Sequence, residues 1–318
     1  MSEPLHHSNG RTARVLIAPS SFLSLGPDGT GAFGERGIEV RVNPHGRPLT
    51  AAEVVDLARD CDGILAGNEP LTADVLARLP RLRCISRCGS GTDNVDLDAA
   101  RARGIQVLRT PDAPVKAVAE LTVGLLLTLL RGIHLVNPAV HNGDWPRLRG
   151  GLLAERTVGI VGLGRIGQAV ARLLAPFGCD LLASDLDAGS AVWARGHDVP
   201  LVALDDLLAR ADIVSLHAAP GVRPLLGARE LALMPRGALL VNTARGSLVD
   251  EAALLRACRT GHLGGAALDV FAEEPYRGPL SDVDNIVLTP HIGSFTAETR
   301  TAMELQAVNH LIDGLGYR

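Results

Sequence analysis

The chain has 318 residues, 47% of them apolar and 21% charged, with a formal net charge of −4. That balance describes a globular protein of about two domains and excludes disordered and fibrous classes. It carries no Lys/Arg block of the kind that marks a nucleic-acid footprint.

Residues 1–12 are polar and without an apolar core, so they read as a loose tail and not as a signal sequence. "RVLIAP" (14–19) and "IEVRVN" (38–43) read as strands. "TAAEVVDLARD" (50–60) reads as a helix opened by a capping box, Thr50 with Glu53. "DGILAG" (62–67) is a strand, "TADVLARLP" (72–80) a helix and "LRCISRCG" (82–89) a strand. Such alternation calls for a parallel sheet. The stretch 113–137 is apolar nearly all round and predicts one long helix, buried between domains or subunits. Its most apolar part, 121–130, is about half of what a membrane span needs. A glycine- and proline-rich connection follows at 141–155. A second α/β unit then extends to about 290, with strands at 156–161, 180–185, 212–217, 238–244, 265–271 and 285–290, and the end, 296–315, is helical. The expected fold is thus α/β with two parallel-sheet, Rossmann- or flavodoxin-like domains. The five cysteines show no zinc spacing and read as reduced, buried thiols of a cytoplasmic protein; no metal site is expected.

"VGIVGLGRIG" is the most informative segment. Gly162, Gly164 and Gly167 form G-x-G-x-x-G between an apolar run and a helical pattern. The first glycine permits a tight turn, the second lets the backbone approach a pyrophosphate, and the third allows close helix packing. The amides of Arg165 and Ile166 would then meet phosphate at a helix N-terminus. Asp185 ends the next strand, where a carboxylate accepts from the adenosine ribose hydroxyls and repels a 2′-phosphate. No Arg or Lys adjoins it, which favours NAD over NADP.

Ligands of doubly wound sheets bind beyond the carboxyl ends of the strands. The polar residues expected there are His217, Arg245, Asp269, Glu274 and His291. Three of them form a chemical set. A planar, permanently charged guanidinium, Arg245, can grip a 2-keto acid with paired bonds. Hydride addition to a carbonyl carbon must be matched by a proton on its oxygen, and a histidine gives up a proton near neutral pH. A carboxylate beside an imidazole fixes its orientation and favours its charged form. Glu274 and His291 fit those parts. His291 stands on a mount stiffened by Pro290 and left uncluttered by Gly293.

At this point the sequence resembles the D-isomer-specific 2-hydroxyacid dehydrogenases, nearest their phosphoglycerate-dehydrogenase-like branch. The likeness runs from about 38 to 300. It includes "RCGSGTDNVDLDAARARGI", "VAELTVGLLL", "GDWPR", "LVNTARGSLVDEAAL", "GGAALDVFAEEP" and "LTPHIGS". It implies an Arg245–Glu274–His291 catalytic set, and substrate carboxylate bound by the amides of Ser90 and Gly91. It also implies a nicotinamide carboxamide held by Asp269 beside Thr243 and Ala244, and His217 and Pro220 along the adenosine. The implied division is a substrate-binding domain split between 1–109 and 291–318, around an NAD-binding domain at 110–290. The partners implied are a small anionic 2-keto or 2-hydroxy acid and a second copy of the chain, docked through the cofactor domain. Where phosphoglycerate-handling members tend to carry cations after the third strand, this chain has "LAGNEPLT", with Asn68 and Glu69. An NAD(H)-sensing, corepressor-like protein and a formate- or phosphite-type dehydrogenase are the alternatives.

Overall fold

A computed structural model of the protein describes residues 12–20, 22 and 28–317; the tail read at 1–12 lies outside them save for Thr12. The chain divides into two compact units, Met1–Pro114 with Thr296–Arg318, and Val115–Phe295.

The first unit runs β1 (Arg14–Ile17), α1 (Asp28–Gly34), β2 (Glu39–Val42), α2 (Ala51–Ala58), β3 (Gly63–Ala66), α3 (Ala73–Ala77), β4 (Cys84–Arg87), α4 (Leu97–Ala102) and β5 (Gln106–Arg109). All pairings are parallel, in the order β2-β1-β3-β4-β5. β3 is buried at every residue, as a strand covered on both faces must be. The capping box forms as expected: the Thr50 hydroxyl accepts from the Glu53 amide, and the Glu53 carboxylate accepts from the Thr50 amide at 2.8 Å. The Arg47 guanidinium and then the Thr50 amide hold that carboxyl well below the usual range. α4 and β5 went unassigned in the sequence, because each is too short to show a period.

The second unit runs α5 (Val115–Arg131), α6 (Ile133–His141), β6 (Thr157–Val161), α7 (Arg165–Leu174), β7 (Asp180–Ser184), α8 (Ser190–Gly196), α9 (Leu204–Arg210), β8 (Ile213–Leu216), α10 (Ala228–Leu233), β9 (Ala238–Asn242), α11 (Glu251–Arg259), β10 (Leu263–Leu268) and β11 (Ile286–Leu288). α12 (Ala297–Gly314) then returns to the first unit, where Met303, Ala307, Val308 and Leu311 pack with Val15, Ile17 and Leu65. The second sheet is parallel throughout, in the order β11-β10-β9-β8-β6-β7. β6 therefore sits at the switch point, with β7 on one side and β8 on the other, and a crevice opens beyond its carboxyl end.

The single helix expected over 113–137 is corrected. It breaks at Gly132, which adopts left-handed φ 61°, and α6 leaves α5 at 69°. α5 buries Val118, Thr122, Leu125, Leu126 and Leu129, whereas α6 buries no residue at all. Among the described residues no single helix is long and apolar enough to cross a membrane.

Candidate active site

The glycine loop turns from β6 into α7. Gly162 has φ 91°, and a Cβ there would lie 2.5 Å from the Ala218 amide nitrogen and 2.6 Å from the His217 carbonyl carbon. A Cβ on Gly167 would lie 2.1 Å from the Gly162 carbonyl oxygen. Both positions require glycine for the protein's own packing. Gly164 differs, because a Cβ there would meet no protein atom within 4 Å. Glycine at that position fits the approach of something outside the chain. Gly164 also caps α7 without a side-chain bond, and a helix N-terminus of this kind suits an anion. Asp185 turns back onto the same loop, its carboxylate accepting from the Leu163 amide at 2.5 Å and the Asp187 amide at 2.7 Å. These residues fit a dinucleotide: Gly164, Arg165 and Ile166 at the pyrophosphate, and Asp185 at the ribose.

His217 follows β8. Its Nε2 lies 2.8 Å from the Ser215 hydroxyl, its Nδ1 is buried with no protein partner, and burial pushes its pKa down to about 4. The ring is therefore neutral at ordinary pH. Pro220 is exposed on the loop beyond.

The chemical set lies at the carboxyl ends of β9, β10 and β11. Asn242 ends β9 buried, donating to the Arg245 carbonyl at 2.9 Å and accepting from the Ala244 amide at 3.1 Å. That bracket fixes the Thr243–Arg245 turn; the sequence reading missed it, although an asparagine closing an apolar strand is a signal of such turns. Thr243 is buried, and its hydroxyl lies 2.8 Å from that of Thr122 on α5. Thr122 already donates to the Val118 carbonyl, so Thr243 donates to Thr122 and keeps only acceptor capacity for a ligand. Glu274 Oε1 accepts from the Phe271 amide at 3.1 Å, and Oε2 lies 2.8 Å from His291 Nδ1. Burial pushes the Glu274 carboxyl up, but the His291 bond and charge, the Phe271 amide and the Arg245 charge together bring it below its ordinary value. The bond orients the ring and leaves Nε2 to act on a substrate. Asp269 follows β10 and is nearly fully buried, its carboxylate turned to the 289–293 segment. Ser90 and Gly91 follow β4 in the first unit, where the Gly89 amide donates to the Thr110 hydroxyl at 2.9 Å. There the Glu69 carboxyl is buried, which pushes its pKa up, and Asn68 accepts from Arg87 at 2.8 Å.

A family model described as "D-isomer specific 2-hydroxyacid dehydrogenase, NAD binding domain" matches residues 123–293. D-3-phosphoglycerate dehydrogenase of Mycobacterium bovis is 40% identical over 293 residues, 90% of this chain and 54% of that protein. The chain spans about half the length of this and similar curated relatives. A crystal structure of a glyoxylate reductase from Paecilomyes thermophila superposes with TM-score 0.87 at 30% identity, covering 96% of each chain. A D-lactate dehydrogenase from Aquifex aeolicus, solved with NAD and lactic acid, gives TM-score 0.80 at 25% identity over 93% of each chain.

Proposed function

The chain belongs to the D-isomer-specific 2-hydroxyacid dehydrogenase family, and from that premise we propose that it interconverts a small 2-keto acid and its D-2-hydroxy acid with NAD(H). The observation that carries this reading is the His291–Glu274 pair, 2.8 Å apart, in the same unit as a glycine loop whose Gly164 leaves room for a pyrophosphate.

When bound, NADH supplies the hydride. Arg245 holds the keto acid by its carbonyl and carboxylate oxygens. His291 Nε2 delivers its proton to the carbonyl oxygen as the carbon gains the hydride. Glu274 holds the ring and balances its charge. In the oxidative direction His291 recovers the proton. Thr243 and Asp269 present acceptors for the carboxamide, with Ala244 alongside, and His217 and Pro220 line the adenosine. The substrate we favour is small and unphosphorylated, because Asn68 and the buried Glu69 follow β3 and the Arg87 guanidinium beside them is already bonded to Asn68, Asn94 and the Cys88 carbonyl. The test is NADH consumption with glyoxylate, hydroxypyruvate, pyruvate, 2-oxoglutarate and phosphohydroxypyruvate. Turnover of a short acid above the phosphorylated one supports the reading, and NADH binding without any turnover speaks against it.

NAD is the cofactor we assign over NADP, since a 2′-phosphate would meet the Asp185 carboxylate. Asp185→Ala combined with Leu186→Arg, at a fully exposed position, is expected to raise kcat/KM with NADPH relative to NADH by at least about tenfold. An unchanged ratio would remove the ribose assignment.

A second copy of the chain is the partner we assign to α6 and the segment after it. Ile133, Leu135, Val140, Trp145, Leu148 and Leu152 are all exposed, Trp145 at 80%. Apolar exposure of this density marks an interaction surface, and one patch on identical chains serves an isologous dimer. Trp145→Glu is expected to shift the sedimentation profile from dimer to monomer; a wild-type profile that is monomeric at micromolar concentration would reject the dimer. The free thiols at Cys61, Cys84, Cys88, Cys179 and Cys258 suit a reducing cytosol.

A further inference from the structure

His291 is one of two described non-glycine residues with a positive φ, here 54°. A left-handed backbone is unfavourable for a residue with a Cβ, and it persists where its surroundings over-determine it. Those surroundings converge on one side chain. Asp269 Oδ1 accepts from the Thr289 hydroxyl at 2.6 Å and from the Ile292 amide at 2.8 Å. Its Oδ2 accepts from the Gly293 amide at 2.8 Å. The three donors flank His291 on both sides in sequence. The turn is closed further by the His291 amide, which donates to the Thr289 carbonyl at 3.0 Å. Gly293 packs tightly in the same arrangement, since a Cβ there would stand 3.0 Å from Asp269 Oδ2 and 3.3 Å from a Val118 methyl.

We propose that Asp269 is a positioning residue for the proton donor: its buried carboxylate clamps the Thr289–Gly293 turn and so holds the His291 imidazole on Glu274. The clamp is distinct from a cofactor contact. A carboxylate has about four acceptor sites, three of which are filled from within the turn. Any bond to a carboxamide uses what remains. Asp269 itself follows β10, and its amide donates to the Asn242 carbonyl. The clamp thereby ties the His291 turn to the strand end that also sets Arg245. With the clamp released, the turn relaxes towards negative φ, the Cβ of His291 changes direction, and the ring leaves Glu274.

This inference rests on His291 being the proton donor, so its test carries a readout that needs no substrate. Asp269→Asn keeps the size of the side chain but sets an amide against at least one of three donors. Thr289→Val removes one donor at constant shape, and Thr289→Ser restores it. The clamp predicts that Asp269→Asn lowers kcat by about tenfold to a hundredfold, the scale of a misplaced catalytic group. Thr289→Val does so more mildly and leaves NADH affinity, measured by fluorescence, at the wild-type value, and Thr289→Ser recovers. The substrate-free readout is the His291 Nδ1 proton resonance, shifted downfield by its bond to Glu274. It should move upfield in Asp269→Asn and Thr289→Val and return in Thr289→Ser. Weakened NADH binding with an unmoved His291 resonance would overturn the proposal and leave Asp269 as a cofactor contact alone. If no keto acid is turned over but the resonance moves as described, the clamp stands and the dehydrogenase reading is what fails.

Discussion

His291→Ala is expected to lower turnover by about a hundredfold to ten-thousandfold, the usual contribution of a positioned acid, with NADH affinity unchanged. The imidazole meets Glu274 and the Asp269-held turn, whereas the residues assigned to pyrophosphate and ribose are at β6, α7 and β7. The variant therefore removes chemistry without removing cofactor recognition. The pH profile separates this loss from general damage. The wild-type rate reports the Glu274–His291 bond. On the acid side it should hold below the ordinary carboxylate range, because Glu274 is depressed below its usual value. The Glu274–His291 pair is fully present above the ordinary carboxyl pKa and is lost as pH falls through that depressed value. His291→Ala should erase this dependence. A variant with wild-type kcat would end the proton-donor assignment.

Gly246→Ala is expected to lower kcat by at least about a hundredfold, although the change adds one methyl group and removes no polar atom. A Cβ at 246 would fall 1.9 Å from the Phe271 carbonyl carbon, 2.1 Å from its oxygen and 2.4 Å from the Ala272 amide nitrogen. All three are backbone atoms, so one chain or the other must move. Gly246 adjoins Arg245, and the Phe271 amide holds Glu274 Oε1. The displacement thus separates Arg245, the residue assigned to the substrate, from the carboxylate bonded to His291. Overpacking of this kind costs about 1–3 kcal/mol, so a lower melting temperature should accompany the loss. Unaltered kcat in Gly246→Ala would mean that the two loops are not held together by this contact.

What could be read from the sequence was whatever repeats or punctuates. Parallel strands buried on both faces announce themselves as short apolar runs, and β6, β8 and β9 fell where such runs stood. G-x-G-x-x-G and the Thr50–Glu53 box carry their geometry in their spacing. The pairing of Glu274 with His291 was inferred from chemistry, and the 2.8 Å bond fits it. Other features depend on single backbone angles or on residues distant in sequence. Gly132 inside an apolar helical pattern gives no sign that it will turn left-handed, so one helix was expected where two stand. Gly246 is one glycine among 35, and only the approach of Phe271 reveals why it is needed. The bonds of Asp269 to Thr289, Ile292 and Gly293 span about twenty residues and two strand ends. Nothing in either segment alone predicts them.

The most direct measurement is isotopic. The protein is incubated with NADH deuterated at the transferring carbon and with the panel of 2-keto acids, and the products are analysed for label and configuration. The expected product is a D-2-hydroxy acid with one deuterium on its carbinol carbon, formed by the wild type and greatly diminished in His291→Ala. NADH that binds but passes deuterium to none of the acids, or label recovered in an L-2-hydroxy acid, would contradict it.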